Sequence, residues 1–124
     1  MEANHRVLIV EDDKDVQEAL VRSLRRLGCE TSVENTAEKG VESIKNNHFD
    51  AVLVSLCVRE MGGRSVARMV RNISEDTKTF LVTGWKGDLE SNLLRIEGIH
   101  DVIRKPLNFS TIKEKFNKHF GQNE

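Results

Sequence analysis

Short apolar runs that alternate with helical periodicity constrain this chain more than any other feature. Arg6-Val7-Leu8-Ile9-Val10 is apolar without interruption after its first residue and ends abruptly at Glu11-Asp12-Asp13. A run with no polar alternation suits a parallel strand covered on both faces. Val16, Leu20, Leu24 and Leu27 then recur at three- and four-residue spacing, which predicts a helix with one apolar stripe, and Gly28 stops it. Cys29 to Val33 reads as a more polar strand, expected at a sheet edge. Asn35 followed by Glu38 reads as a helix start, with Ala37, Val41 and Ile44 as its stripe. Phe49 to Val54 is the second strongly apolar strand, and Gly62-Gly63 breaks the chain after it. Val66, Met69, Val70 and Ile73 predict a third helix, Thr79 to Thr83 a strand, and Leu89, Leu93 and Ile96 a fourth helix ended by Gly98. Asp101-Val102-Ile103 is a brief last strand. After Pro106, the residues Phe109, Ile112, Phe116 and Phe120 line a final amphipathic helix.

Strand and helix thus alternate five times with short connections. That pattern implies an α/β fold, a parallel sheet with helices on both faces. A length of 124 residues fits one domain, 1–124, with its core at about 5–120 and a frayed end from Gly121 to Glu124. Apolar residues at 38% and charged residues at 31% exclude a disordered chain. A formal net charge of -1 gives no positive field for nucleic acid or an acidic membrane, so neither is expected as a partner. The N-terminus carries no signal-peptide pattern and the apolar runs are too short to span a bilayer, so a cytoplasmic location is expected. Cys29 and Cys57 are expected as unbonded, buried or half-buried residues. His5, His48, His100 and His119 share no ligand spacing and are expected at the surface, as are Arg22, Arg25, Arg26, Arg68 and Arg71 on solvated helix faces.

In an open parallel sheet, sites form outside the carboxyl ends of the strands. That rule gathers Glu11 and Asp12 after the first strand, Ser55 after the third, Thr83 after the fourth and Lys105 after the fifth. Two carboxylates, two hydroxyls and one ammonium would then share one pocket. Each has a plainer reading as well. The acidic triplet suits a helix N-terminus, Ser55 can cap a strand end, and Lys105 can pair with Asp12. Trp85, two residues past Thr83, reads equally as a cover or partner surface at the pocket mouth and as a half-buried aromatic.

At these residues the chain resembles response-regulator receivers of two-component signalling. The segment from Val7 to Asp13 is similar to their first strand and acidic pair. Phe49 to Gly63 is similar to their third strand and following loop, Phe80 to Gly84 to their hydroxyl-bearing strand, and Val102 to Leu107 to their terminal Lys-Pro segment. The likeness spans about 115 residues. It implies a (βα)5 flavodoxin-like three-layer sandwich with a five-stranded sheet in the order 2-1-3-4-5. It implies further that position 55 is where a histidine kinase delivers a phosphoryl group, normally to an aspartate. The acidic pair Glu11 and Asp12 would help hold Mg²⁺, Lys105 would contact the phosphoryl oxygens, and Thr83 would be the switch hydroxyl. A cis peptide bond is implied before Pro106, and an aromatic that moves with the hydroxyl is implied at position 102. Partners would be a histidine kinase, an effector domain or another receiver. They would be met through the face made by the fourth helix, fifth strand and fifth helix, in a monomer or weak homodimer that is not itself an enzyme.

Three positions depart from that pattern. Ser55 stands where the aspartate is expected, and a serine hydroxyl cannot form an acyl phosphate and is a poor nucleophile without a base. With one carboxylate fewer, the site's affinity for Mg²⁺ is expected to fall and no other cofactor is implied. Arg59 stands where proline is common, which leaves the loop after Ser55 less constrained. Val102 replaces the moving aromatic with a side chain that is stiff at χ1. Two readings stay open: a receiver that works by protein contacts without an aspartyl phosphate, and a conventional phospho-accepting receiver whose aspartate has been exchanged for Ser55. An unrelated flavodoxin-like binding protein is disfavoured by the lack of a Gly-rich phosphate loop.

Overall fold

The computed structural model describes residues 4–58, 62–85, 87, 89, 94 and 97–121. Five strands, β1 (Arg6–Val10), β2 (Glu30–Glu34), β3 (Ala51–Ser55), β4 (Lys78–Thr83) and β5 (Asp101–Arg104), form one sheet in the order β2-β1-β3-β4-β5. Every pairing is parallel. The uninterrupted apolar runs lie where such runs belong. Every residue of β3 is buried, as are Val7 to Val10 of β1 and Thr79 to Thr83 of β4. The two polar strands, β2 and β5, are the sheet edges, with part of each exposed to solvent.

Four helices are described: α1 (Lys14–Arg26), α2 (Ala37–Asn46), α3 (Gly63–Ile73) and α4 (Phe109–Phe120). They divide between the two faces of the sheet. Leu20 and Leu24 of α1, with Ile112 and Phe116 of α4, pack on Val7, Ile9, Leu53, Phe80, Val82 and Ile103. Val41 and Ile44 of α2, with Val66, Ala67 and Val70 of α3, pack on Leu8, Val10, Val52, Val54 and Leu81. Alternate residues of each central strand therefore feed opposite cores. Each fully buried Leu or Ile in them contributes about 1.5–3 kcal/mol of hydrophobic stabilisation. Leu94 and Ile99, between β4 and β5, join the α2–α3 core. The expected fourth helix rests on Leu93 and Ile96, which lie outside the described residues, as does most of the expected frayed C-terminus.

Local chemistry explains where the helices begin, and it corrects several expectations. The acidic triplet is divided: Asp13 caps α1, its Oδ1 accepting the amide hydrogens of Asp15 and Val16, while Glu11 turns inward. The cap of α2 is Thr36, whose Oγ1 accepts from Lys39 N. Asn35, the expected start, instead accepts a hydrogen bond from Gln17. In α3 the buried stripe is Gly63, Val66, Ala67 and Val70, whereas Met69 and Ile73 are 36% and 39% exposed. The helix is rotated from its apolar count because small residues, Gly63 and Ala67, let its backbone approach the sheet. Cys29 is buried but Cys57 is exposed, because it sits on the turn after β3 instead of in a strand; both are free thiols. Arg26 and Arg68, expected on solvated helix faces, make structural contacts. Arg26 lies 3.8 Å over the ring of Phe109, joining α1 to α4, and Arg68 pairs with Glu97 at 3.4 Å beside Arg64 at 2.6 Å.

The edge strand β5 is held to α4 by a charged cluster that the sequence does not announce. Asp101 accepts from Lys115 Nζ at 2.9 Å and meets His119 Nε2 at 2.9 Å, with Lys118 at 3.6 Å. Burial works to raise the Asp101 carboxyl, but the contacts from Lys115 and His119 and the Val102 amide outweigh it and hold the group at about 2. The folded carboxyl releases its proton more readily than the unfolded one, so its stabilisation is present above the ordinary value of 3.8 and is lost as pH falls toward about 2. Asp101→Asn is expected to cost on the order of 2 kcal/mol at pH 7, and most of the difference from the parent should be gone by pH 2. Urea unfolding of both proteins across that range measures it. A deficit that is the same at pH 2 as at pH 7 would assign Asp101 a packing role only.

Candidate functional site

The parallel register brings the carboxyl ends of four strands to one edge of the sheet. Val10 pairs with Val54, Ser55 with Val82 and Thr83 with Arg104. Glu11 and Asp12 therefore leave β1 beside Ser55, and Thr83 ends β4 on the other side of it. Lys105 follows β5, its amide donating to the Thr83 carbonyl at 2.9 Å. All five residues gathered by the strand-end rule lie at this edge.

Ser55 is 8% exposed, and its Oγ accepts the Cys57 amide hydrogen at 3.3 Å. This is the strand-capping geometry of a serine that turns the chain. The turn is sealed from below by α3. Gly63 N donates to Leu56 O at 3.0 Å, and a Cβ on Gly63 would collide with the Ser55 carbonyl oxygen. Gly62, at φ 79°, supplies the left-handed residue that aims the chain into the helix. The Gly-Gly pair thus does more than break the chain, since it lets a helix start against the backbone of position 55. Arg59, in the loop between, lies outside the described residues.

Glu11 is 3% exposed. Its Oε2 accepts the Asp13 amide hydrogen at 3.0 Å, while its Oε1 is buried with no hydrogen-bond partner among the described residues. Burial pushes its carboxyl above the ordinary range. The Asp13 amide and the charge of Lys105 oppose that rise, and neighbouring Asp12 adds to it. Lys105 therefore exerts its field on Glu11, and Asp12 sits half-buried beside the same carboxyl. The loop carrying this pair is fastened by Gln17, whose Nε2 donates to the Glu11 carbonyl at 2.5 Å and to Asn35 Oδ1 at 2.9 Å. Sequence reasoning missed Gln17; its place one turn into α1 was the available signal.

Thr83 is 4% exposed, and its Oγ1 accepts the Trp85 amide hydrogen at 2.9 Å. Trp85 is 57% exposed, so it is neither a half-buried aromatic nor a lid pressed into the pocket. The Lys105–Pro106 bond is cis. Val102 lies one strand over from Leu81, half-buried against the α2–α3 core. It borders a cleft of about 770 Å³ between β5 and α4, lined also by Leu94, Ile99, Arg104, Lys115 and Lys118. That cleft is adjacent to the strand-end site but is not part of it. Among the described residues no group of three or more His, Cys, Asp or Glu side chains is gathered to hold a metal ion; the rings of His100 and His119 lie 6.4 Å apart, and His119, expected at the surface, is instead half-buried against Asp101. No helix among them is long and apolar enough to cross a membrane.

The raised Glu11 carboxyl gives a signed expectation. The folded state holds this proton more tightly than the unfolded state. Stability therefore falls as pH rises from the ordinary value of 4.5 through the raised one. Glu11→Gln keeps an oxygen for the Asp13 amide and removes the buried charge. Its urea midpoint should exceed the parent's at pH 7, with the gap closing toward pH 4. A Gln variant that is less stable at pH 7 would show the carboxylate to be fully compensated.

Comparison with known proteins gives a consistent set of relatives. A family model described as the response regulator receiver domain matches residues 7–117. The autoinducer 1 sensor kinase/phosphatase LuxN of Vibrio campbellii is 29% identical over 118 residues, which is 94% of this chain and 14% of LuxN. Response regulator MprA of a Mycobacterium species is 29% identical over 101 residues, which is 82% of this chain and 44% of that protein. The chain thus spans less than half the length of these relatives. Among solved structures, the receiver domain of sensor histidine kinase PA1611 from Pseudomonas aeruginosa, with a magnesium ion coordinated in its active-site cleft, superposes with a TM-score of 0.83. The two are 21% identical over 97% of this chain and 100% of that one.

Proposed function

The chain belongs to the response regulator receiver domain family, and from that premise we propose that it is a two-component receiver module which signals through protein contacts without forming an aspartyl phosphate. The observation that carries this reading is Ser55. It ends the fully buried β3, at the sheet edge where Glu11, Asp12, Thr83 and Lys105 gather. On this reading Ser55 occupies the phosphoacceptor position, Thr83 the switch hydroxyl and Lys105 the phosphate-contact lysine. A hydroxyl there has neither the charge nor the leaving-group chemistry of a carboxylate, and its oxygen is already engaged by the Cys57 amide. The module is not an enzyme in its own right.

Glu11 and Asp12 fit a weak site for a hard cation. The buried, unpartnered Oε1 of Glu11 is an oxygen such an ion would satisfy. The third donor, Ser55, is neutral, so Mg²⁺ affinity is reduced relative to a three-carboxylate site. When bound, the ion would neutralise negative charge at this edge. In the chain itself Lys105 already does part of that work, through its field on Glu11.

The partner is a protein: a histidine kinase, an effector domain or another receiver. It is met through the face that includes β5 and α4, and the module is otherwise a monomer or weak homodimer. The cleft bordered by Val102, Arg104, Lys115 and Lys118 supports that choice of face. The lengths of LuxN and MprA support a receiver that works alongside other domains. Free Cys29 and Cys57 accord with a reduced, cytoplasmic setting. Val102, stiff and apolar, cannot act as a swinging aromatic, so the relay beyond the pocket is altered along with the acceptor.

Incubation with acetyl phosphate and Mg²⁺ tests the reading. The parent chain should acquire no hydroxylamine-labile phosphate, and its Thr83 and Lys105 amide resonances should stay in place. Ser55→Asp should acquire the phosphate and bind Mg²⁺ roughly tenfold more tightly, about 1.4 kcal/mol. An acyl phosphate on the parent chain, or beryllofluoride-induced shifts at Thr83 in it, would sink the proposal.

A further inference from the structure

Thr79, near the start of β4, is 1% exposed, so its backbone amide must be satisfied within the protein. Its acceptor is the imidazole of His100, with Nδ1 at 3.0 Å and 21 residues further along the chain. The His100 amide in turn donates to the Thr79 carbonyl at 2.8 Å. The two residues thus close a ring of two hydrogen bonds just ahead of Phe80 and Asp101, the first paired residues of β4 and β5. A titratable side chain supplies there the kind of bond that backbone carbonyls supply along the ladder. His100 is nevertheless exposed and lines the cleft between β5 and α4, so its ring is open to protons from solvent. The chain on either side of it is held by other elements. Before it, Glu97 pairs with Arg64 and Arg68 of α3. After it, Asp101 meets Lys115, Lys118 and His119 of α4.

The charged groups around the His100 ring are mostly positive. Lys78 faces it from β4, and Lys115, Lys118 and His119 from α4, whereas Asp101 of β5 is already engaged by those α4 side chains. The rings of His100 and His119 lie 6.4 Å apart, edge to face. Partial burial disfavours a charge on the His100 ring, and Lys78 and His119 repel one, so the ring titrates below its ordinary 6.5. An amide N–H can donate only to an unprotonated nitrogen, so the Thr79 contact belongs to the neutral ring alone. The unfolded ring takes up its proton first. The contact is therefore fully in force above pH 6.5 and is lost as pH falls through the lower folded value. We propose that His100 is an acid-sensitive latch between β4 and β5: on taking up a proton it releases the Thr79 amide and loosens the amino end of β5 from β4. The same acidification favours the junction of β5 with α4, because a charged His119 attracts Asp101, 2.9 Å away. Protons weaken one side of β5 and tighten the other, so the parting falls between β4 and β5. The cleft lined by His100, Asp101, Lys115 and Lys118 thereby changes shape with pH. The inference holds whether or not Ser55 accepts phosphate and whichever partner meets this face.

The test uses the full chain and follows two signals in the same NMR samples as pH is lowered from neutrality. One is the ring titration of His100. The other is hydrogen exchange of the Thr79 amide, corrected for the intrinsic pH dependence of exchange. His100→Asn places an oxygen where Nδ1 stands and does not titrate, His100→Leu removes the acceptor, and His119→Gln removes the neighbouring charge. In the parent, Thr79 protection should drop about tenfold across the midpoint of the His100 ring, the equivalent of one ordinary hydrogen bond, while amides of β3 change by less than about twofold. His100→Asn should show no such step, and His100→Leu should be poorly protected at every pH. In His119→Gln the ring midpoint should rise and the step should move with it. Thr79 protection that stays flat while the parent ring titrates overturns the proposal. So does an equal step in His100→Asn, a parent step shared by the β3 amides, or a step that parts from the ring midpoint in His119→Gln. Should His100→Leu fail to fold, the parent and His100→Asn decide it.

Discussion

Burial of β3 on both faces is the constraint on which the remainder of this structure depends. Its five residues have no solvent-facing side, so they must be flanked by strands and covered by helices above and below. β1 and β4 satisfy the backbone on either side, and α1 with α4, and α2 with α3, cover the faces. A polar residue at the end of such a strand cannot turn away from the protein. It can only emerge at the carboxyl edge, where the neighbouring strands also end. The position of Ser55, and its company of Glu11, Asp12, Thr83 and Lys105, follow from that packing. Gly63 completes the arrangement by letting α3 begin in contact with the Ser55 backbone.

Electrostatics at the two ends of the sheet contrast in an informative way. Glu11 is buried with one oxygen satisfied and the other without a partner among the described residues, so desolvation dominates and its carboxyl is raised. Asp101 is also largely buried, but Lys115, His119 and the Val102 amide surround it and its carboxyl is depressed to about 2. A compensated carboxylate of that kind belongs to the scaffold, where it pins α4 to the edge of the sheet. The uncompensated one marks a place where the fold accepts a cost, and such places concentrate at functional sites. Lys105 softens that cost without removing it.

The two hydroxyls of the site have different audiences. Ser55 turns its oxygen to its own following loop, at Cys57. Thr83 turns its oxygen to the next loop, at Trp85, which also bonds to β5. Both are local side-chain to backbone bonds of the kind that shape turns. Only the second connects a buried group to a large exposed one. The sheet edge is thereby joined to the surface near the cleft between β5 and α4, which Arg104 also lines.

Much of this architecture was legible in the linear chain. The apolar run at residues 6–10 read as a doubly covered strand, that at 49–54 as a second apolar strand, and the more polar segment 29–33 as an edge, within a residue or two of the observed bounds. One geometric rule about strand ends then assembled the five site residues without any contact being known. The identity of Ser55 is a property of the sequence alone. The tertiary structure decided what periodicity cannot encode. It rotated α3 so that Gly63 and Ala67 face the sheet and Met69 and Ile73 do not, because small residues permit close approach. It divided three adjacent acids into a buried carboxylate, its half-buried neighbour and a helix cap. It gave Gln17, Asp101, Arg104 and His119 partners that lie 14 to 19 residues away or on another element. Patterns of burial are written in sequence because each residue carries its own hydrophobicity. Pairings between polar groups are not, because they depend on which surfaces the packed helices and strands finally bring within a hydrogen bond's reach.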